Sequence, residues 1–122
     1  TSMFSQGQIV AANVNKTWIL AKYMESENGE IKLEDMDDQH NIFKVDEKDV
    51  NLFPTPNIQL KSGQRFFTLW YNVADQQWMS ELYPCIAFED YPNEEEPESL
   101  VVRAQFEEEN ISYINVQWSL VV

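Results

Sequence analysis

Tyr71 and Trp78 are separated by six mostly polar residues and sit where one apolar run ends and another begins. The run from Arg65 to Tyr71 is aromatic and apolar, and a second run opens at Trp78. Such a pair reads as an antiparallel hairpin, in which the end of one strand lies beside the start of the next. The spacing predicts both rings at one rim of a sheet, with residues 72–77 forming the loop above them. The chain carries 21 Asp and Glu against 8 Lys and Arg, so two aromatic faces on that rim make a trap for a cation. A quaternary ammonium suits such a trap, because it has no hydrogen-bond donor to satisfy, and each ring face contributes roughly 0.5–2 kcal/mol.

Two acidic groups extend the pattern. Asp35, Asp37 and Asp38 fall where a predicted strand runs out, so their carboxylates converge on one sheet edge. Like charges so placed repel, and an amine or guanidinium relieves them; the plain alternative is a solvated turn. Phe106 ends another predicted strand and is followed by Glu107, Glu108 and Glu109. It shares parity with Leu100, Val102 and Ala104, which makes it the last core residue of its strand unless that end meets the Tyr71 and Trp78 rim. Phe88, with Glu89 and Asp90, repeats the aromatic and acidic pattern. On the reading of 78–88 as one continuous strand, Phe88 lies too far from Trp78 to face the same pocket, so Phe106 is preferred.

Catalytic chemistry finds little footing. His40 is the single histidine and Cys85 the single thiol, and nothing at either position makes them a nucleophile–base pair. No Cys/His cluster has zinc spacing, and the three glycines are scattered rather than gathered in a phosphate loop. Paired carboxylates are expected by chance in so acidic a chain and carry no catalytic weight. The expectation is a protein that is not an enzyme, with no cofactor and no metal.

The formal net charge of -13 disfavours a phosphate backbone and favours a basic partner, although charge of this size also serves solubility alone. One cysteine allows no internal disulfide, which fits a reducing compartment. No apolar run approaches about 20 residues, so no transmembrane helix and no membrane partner are expected. The chain opens at Thr1 without a methionine and without the pattern of a signal peptide, as a fragment of a longer protein does.

The elements that position these residues read as short strands. Residues 8–14, 18–24 and 30–35 are β-branched or alternating, with Asn28-Gly29 supplying a turn that tolerates positive φ. Residues 42–45 and 50–53 follow, and Pro54 and Pro56 then stop regular structure. Residues 66–71, 78–88, 100–106 and 113–122 are the strands of the second half, with a proline-broken acidic loop at 90–99. Trp18, Phe43 and Phe67 fit core positions. No helix of ordinary length is expected. The prediction is an all-β chain of two small SH3-like barrels, residues 7–56 and 57–122, packed together because each core is marginal alone.

Three motifs carry a resemblance. The run Gly7-Gln8-Ile9-Val10-Ala11-Ala12-Asn13-Val14, then Trp18-Ile19-Leu20-Ala21, then Glu34-Asp35-Met36-Asp37-Asp38 resembles the tandem Tudor domain of the SAGA-associated factor family. The resemblance extends over nearly the whole chain, from about Gly7 to Val122; the first two motifs are fairly specific together, the third is weak alone. It implies a tandem Tudor fold and a non-enzymatic nuclear subunit of the SAGA histone acetyltransferase complex. Its expected ligand is the amino-terminal tail of histone H3 with di- or trimethyl-lysine at the fourth residue. Its expected partners are that tail and subunits of the complex, with no direct nucleic-acid binding.

Matched position by position, Asp35 and Asp37 take the place of the carboxylates that hold the free amino terminus of the tail. Tyr71 and Trp78 match the two hairpin aromatics of the methyl-lysine cage, Phe106 its third wall, and Glu108 an acidic residue beside it. Two positions depart: Trp78 stands where the family usually has tyrosine, and Asn72 where it generally has proline. Two other readings stand beside this one. A Tudor module for methyl-arginine is disfavoured by the paired carboxylates at Asp35 and Asp37. An acidic protein-interaction module without methyl selectivity makes the Tyr71 and Trp78 rings dispensable for partner binding.

Overall fold

The computed structural model describes residues 4–106 and 110–122. They form two compact units: the first runs to Phe53 and also takes in Trp70–Leu82, and the second comprises Pro54–Leu69 and Tyr83–Val122.

In the first unit, β1 (Ile9–Val14), β2 (Thr17–Glu27), β3 (Glu30–Asp35), β4 (Ile42–Asp46) and β5 (Val50–Leu52) form an antiparallel sheet in the order β4-β3-β2-β1-β5. Two-residue turns close the first two connections. Asn15 and Lys16 have φ of 53° and 67°, and Asn28 and Gly29 have φ of 53° and 81°, the paired positive values of a type I′ turn. That twist matches the twist of the flanking strands, so these turns fix register without strain on the sheet. Alternate residues then point one way: Val10 and Ala12, Ala21 and Tyr23, Ile31 and Leu33 form the buried core with Val50, and Phe43 and Val45 pack against it. A one-turn 3-10 helix, Glu47–Asp49, leads into β5.

β6 (Arg65–Thr68) opens the second unit's sheet. The chain then forms the two-stranded hairpin β7 (Tyr71–Asn72) and β8 (Gln77–Trp78), which belongs to the first unit. β9 (Tyr83–Ala87), β10 (Val101–Phe106), β11 (Ile111–Asn115) and β12 (Ser119–Leu120) complete the second sheet in the order β11-β10-β9-β6-β12. Counted within each unit, both sheets have the order 4-3-2-1-5, and a one-turn 3-10 helix precedes the fifth strand in each. The repetition expected of the second half is therefore a repetition of topology. The units differ at one connection: two residues join strands one and two of the first sheet, whereas the second sheet inserts the whole hairpin there.

The second core follows the same parity rule. Phe66 and Thr68, Cys85 and Ala87, and Val102, Ala104 and Phe106 are buried, with Leu60, Ile114, Val116 and Leu120. The parity corrects one expectation: Phe66 is fully buried, and Phe67, expected in the core, is half-buried with the Arg65 guanidinium 5.2 Å from its ring centre. Three expected strands are broken. Residues 66–71 divide between β6 and β7, residues 113–122 are interrupted by the 3-10 turn Val116–Trp118, and residues 78–88 divide between β8 and β9. The last break removes the argument from a continuous strand that set Phe88 aside, since Trp78 and Phe88 lie in different sheets' segments and different units. Each break replaces sheet hydrogen bonds within a run by bonds to another element, which local apolar pattern does not encode.

Candidate binding site on the first unit

The hairpin is held by its own loop. The Asn72 amide donates from Nδ2 to Asp75 Oδ2 at 3.1 Å, and the Asp75 backbone N–H donates to Asn72 Oδ1 at 3.2 Å. Gln76 takes a left-handed φ of 53°, which turns the chain back into β8. Below the rim, the Met79 N–H donates to the Trp70 carbonyl at 2.8 Å. Asn72 thus supplies by side-chain hydrogen bonds the kind of constraint that a proline supplies at a turn by fixing φ.

Tyr71 and Trp78 are directly paired in this hairpin. Their ring centres are 5.2 Å apart and their planes cross at 66°. Tyr71 is 40% exposed and Trp78 60%, so the pair presents an edge-to-face corner to solvent rather than filling a core. A corner of this kind offers two electron-rich surfaces to one cation.

Residues 80–82 dock the hairpin on the sheet. β3 ends at Asp35, opposite Ala21, and leaves the beginning of β2 with a free edge. Ile19 forms a bridge with Glu81 on that edge; the Leu20 N–H donates to the Ser80 carbonyl at 2.7 Å and the Leu82 N–H to the Trp18 carbonyl at 2.9 Å. Leu82 is buried there. The aromatic corner is therefore carried on a segment paired with the same strand that Asp35 faces.

The acidic loop is built around Asp35. Its Oδ1 accepts the N–H groups of Asp37 at 2.7 Å and Asp38 at 3.2 Å, and its Oδ2 accepts the Asn41 amide at 3.0 Å. The Asp35 N–H donates to the Asn41 carbonyl at 2.9 Å, closing the loop. These hydrogen bonds, the Asp37 N–H foremost, hold the Asp35 carboxyl below its ordinary value of 3.8. A depressed carboxyl contributes stability that is present above its unfolded value and is lost as pH falls through its folded value. Amide exchange of Asp37 and Asp38 is accordingly expected to accelerate as pH falls below about 4, relative to the intrinsic rates, and Asp35→Asn is expected to remove that pH dependence.

Asp37 plays a different part. It is exposed, and Ser80 Oγ donates to its Oδ2 at 2.9 Å. Asp35 spends its lone pairs on the loop, whereas Asp37 presents its carboxylate outward. The structure thus brings four of the expected residues, Asp35, Asp37, Tyr71 and Trp78, onto one unit. Phe106 lies in the second unit, 8% exposed, with its ring 5.2 Å from that of Tyr83 in an edge contact. Glu108 lies outside the described residues. Phe88 is half-buried in the second unit.

Three contributors escaped the sequence reading: Ser80, Asn41, and Asn72 in its role as loop clamp. Asn72 and Asn41 carried a usable signal, since each is an amide placed to close a turn with an aspartate. Ser80 carried none. Cys85, weighed as a nucleophile from sequence, is buried at the centre of the second sheet, and burial pushes its thiol up to about 12, so it stays protonated at neutral pH.

No protein-family model matches the sequence, and no curated protein matches it. Solved structures do match its fold. A chain of Arabidopsis thaliana AGDP1, AGD34, aligns with a TM-score of 0.53 at 15% identity, over 98% of this chain and 83% of that one. The tandem Agenet domain 3-4 of ADCP1 aligns with a TM-score of 0.50 at 16% identity, over 98% and 81%. The fold is that of Tudor-like and Agenet-like tandem domains, as the all-β tandem expectation requires. At these identities the likeness extends to fold and not to any one family.

Proposed function

We propose that this chain is a chromatin reader that binds the amino-terminal tail of histone H3 carrying di- or trimethyl-lysine at its fourth residue. The observation that carries the reading is the coexistence, on one unit, of an exposed aromatic corner and an exposed carboxylate joined through Ser80. Ser80 is two residues from Trp78, so the two α-carbons are at most about 7 Å apart. Asp37 Oδ2 lies a further 2.9 Å from Ser80 Oγ. An extended peptide advances about 3.3 Å per residue, which puts its amino terminus and its fourth side chain about 10 Å apart. The short path from Trp78 through Ser80 to Asp37 is of the same order as that separation, which supports assigning the two features to those two groups.

In this reading Tyr71 and Trp78 hold the methylated ammonium, and Asp37 takes the α-ammonium, whose reference pKa is about 7.7–8.0. Asp35 fixes the loop that presents Asp37. The resemblance gives Phe106 and Glu108 as further cage residues; the site proposed is the Tyr71 and Trp78 corner of the first unit, and Phe106→Leu tests the Phe106 assignment by whether methyl discrimination falls. The excess of acidic residues speeds encounter with a basic tail more than it selects among tails. The chain then works in the nucleus, as the tail-reading part of a SAGA-type acetyltransferase complex, with no cofactor and no nucleic-acid contact of its own.

Calorimetric titration with four H3 tail peptides tests the reading: unmodified or trimethylated at the fourth residue, each with a free or acetylated amino terminus. Tightest binding is expected for the trimethylated peptide with a free terminus, with a loss of roughly tenfold or more on removing either feature. Equal binding to all four overturns it and leaves general attraction between an acidic surface and a basic tail.

A further inference from the structure

Ser80 is fixed from both sides. Its carbonyl accepts the Leu20 N–H at 2.7 Å, and its hydroxyl reaches across 43 positions of sequence to Asp37 Oδ2 at 2.9 Å. On one side it continues into Met79 and Trp78, where the Met79 N–H is bonded to Trp70; on the other, Glu81 and Leu82 are paired with Ile19 and Trp18. The acidic loop, by contrast, is held mainly from within, by Asp35 and Asn41. The Ser80 hydroxyl is a direct side-chain link between that loop and the segment carrying the aromatic corner.

We propose that Ser80 is a positioning residue that sets the distance between the ammonium-binding carboxylate and the aromatic corner, and so selects for a methyl-lysine at one fixed separation from a chain terminus. The inference rests on the reading under Proposed function. A carboxylate on an untethered loop still attracts an ammonium, but it samples many positions, and the second contact of a bivalent ligand gains most when the spacing of its two sites is fixed. The hydroxyl also leaves one carboxylate oxygen for the incoming ammonium, because the bond engages Oδ2.

Ser80→Ala removes the link without removing either binding group, and Ser80→Thr retains a hydroxyl on the same carbon. The four tail peptides distinguish this role from a general structural one. Ser80→Ala is expected to weaken the trimethylated peptide with a free terminus roughly three- to tenfold, to leave its amino-acetylated counterpart within about twofold, and to be rescued by Ser80→Thr. A trimethyl peptide with one residue inserted before the lysine provides the second readout: the wild-type protein rejects it relative to the natural spacing, and Ser80→Ala narrows that difference. In an Asp37→Asn background, Ser80→Ala is expected to add little further loss on the free-terminus peptide.

Equal weakening of free and acetylated peptides, or an unchanged preference for peptide spacing, overturns the role of Ser80 while leaving the reader assignment intact. A wild-type protein that treats all four peptides alike overturns both. Thermal unfolding of the two variants, run alongside, separates loss of the link from loss of the fold.

Discussion

Trp78→Ala is expected to cost the trimethylated tail peptide roughly ten- to thirtyfold in affinity while leaving the unmodified peptide within about twofold. Trp78 is 60% exposed and its ring touches Tyr71 at a corner, so its truncation opens no core cavity and the melting temperature is expected to hold. Under the proposed function the loss follows from removing the larger of two π-faces offered to a trimethylated ammonium, which has no hydrogen bond to give. Trp78→Phe retains a face of smaller quadrupole and is expected to recover part of the affinity. Calorimetry on both peptides checks this. A uniform loss on methylated and unmodified tails assigns Trp78 to general peptide contact, and no loss on either removes it from the site.

Phe66→Ala is expected to destabilise the second unit by about 3–5 kcal/mol, the range for truncating a fully buried aromatic side chain. Phe66 is 0% exposed, opposes Cys85 of β9, and lies beside β12 in a sheet whose other inward residues, Phe106 apart, are small or medium in size. The neighbouring Phe67→Ala is expected to cost much less, since Phe67 is half-buried on the opposite parity. Urea denaturation, with the slope held as a control for compactness, separates the two variants. Similar losses for both mean that the two faces of β6 contribute equally to packing, contrary to the alternation of its burial.

Much of this architecture is written in local pattern. The strands of the first unit follow directly from alternation, and the Asn28-Gly29 turn from residues that tolerate positive φ. The pairing of Tyr71 with Trp78 was legible because two aromatic runs flanked a short polar segment. The wrong expectations came from taking an unbroken apolar run as an unbroken strand. Residues 66–71 and 78–88 each change partners midway, and apolar side chains are wanted on both sides of each change. The expectation of Phe67 in the core is off by one residue in parity, and a shift of one exchanges the two faces of a strand.

What the sequence determines by itself is the inventory: an acidic, aromatic, all-β chain whose period-two stretches become strands, whose paired-turn residues become reversals, and whose Tyr71, Trp78 and Asp37 have the chemistry to meet a cation. Those are properties of each residue and its nearest neighbours. Only the tertiary structure decides that the hairpin interrupts the second sheet yet belongs to the first unit, because β3 stops at Asp35 and leaves an edge of β2 for residues 80–82 to complete. It alone decides that Ser80 meets Asp37, 43 positions away. Backbone groups left unpaired at a sheet edge are satisfied by whichever segment reaches them, and that choice depends on the path of the whole chain rather than on the sequence at either end.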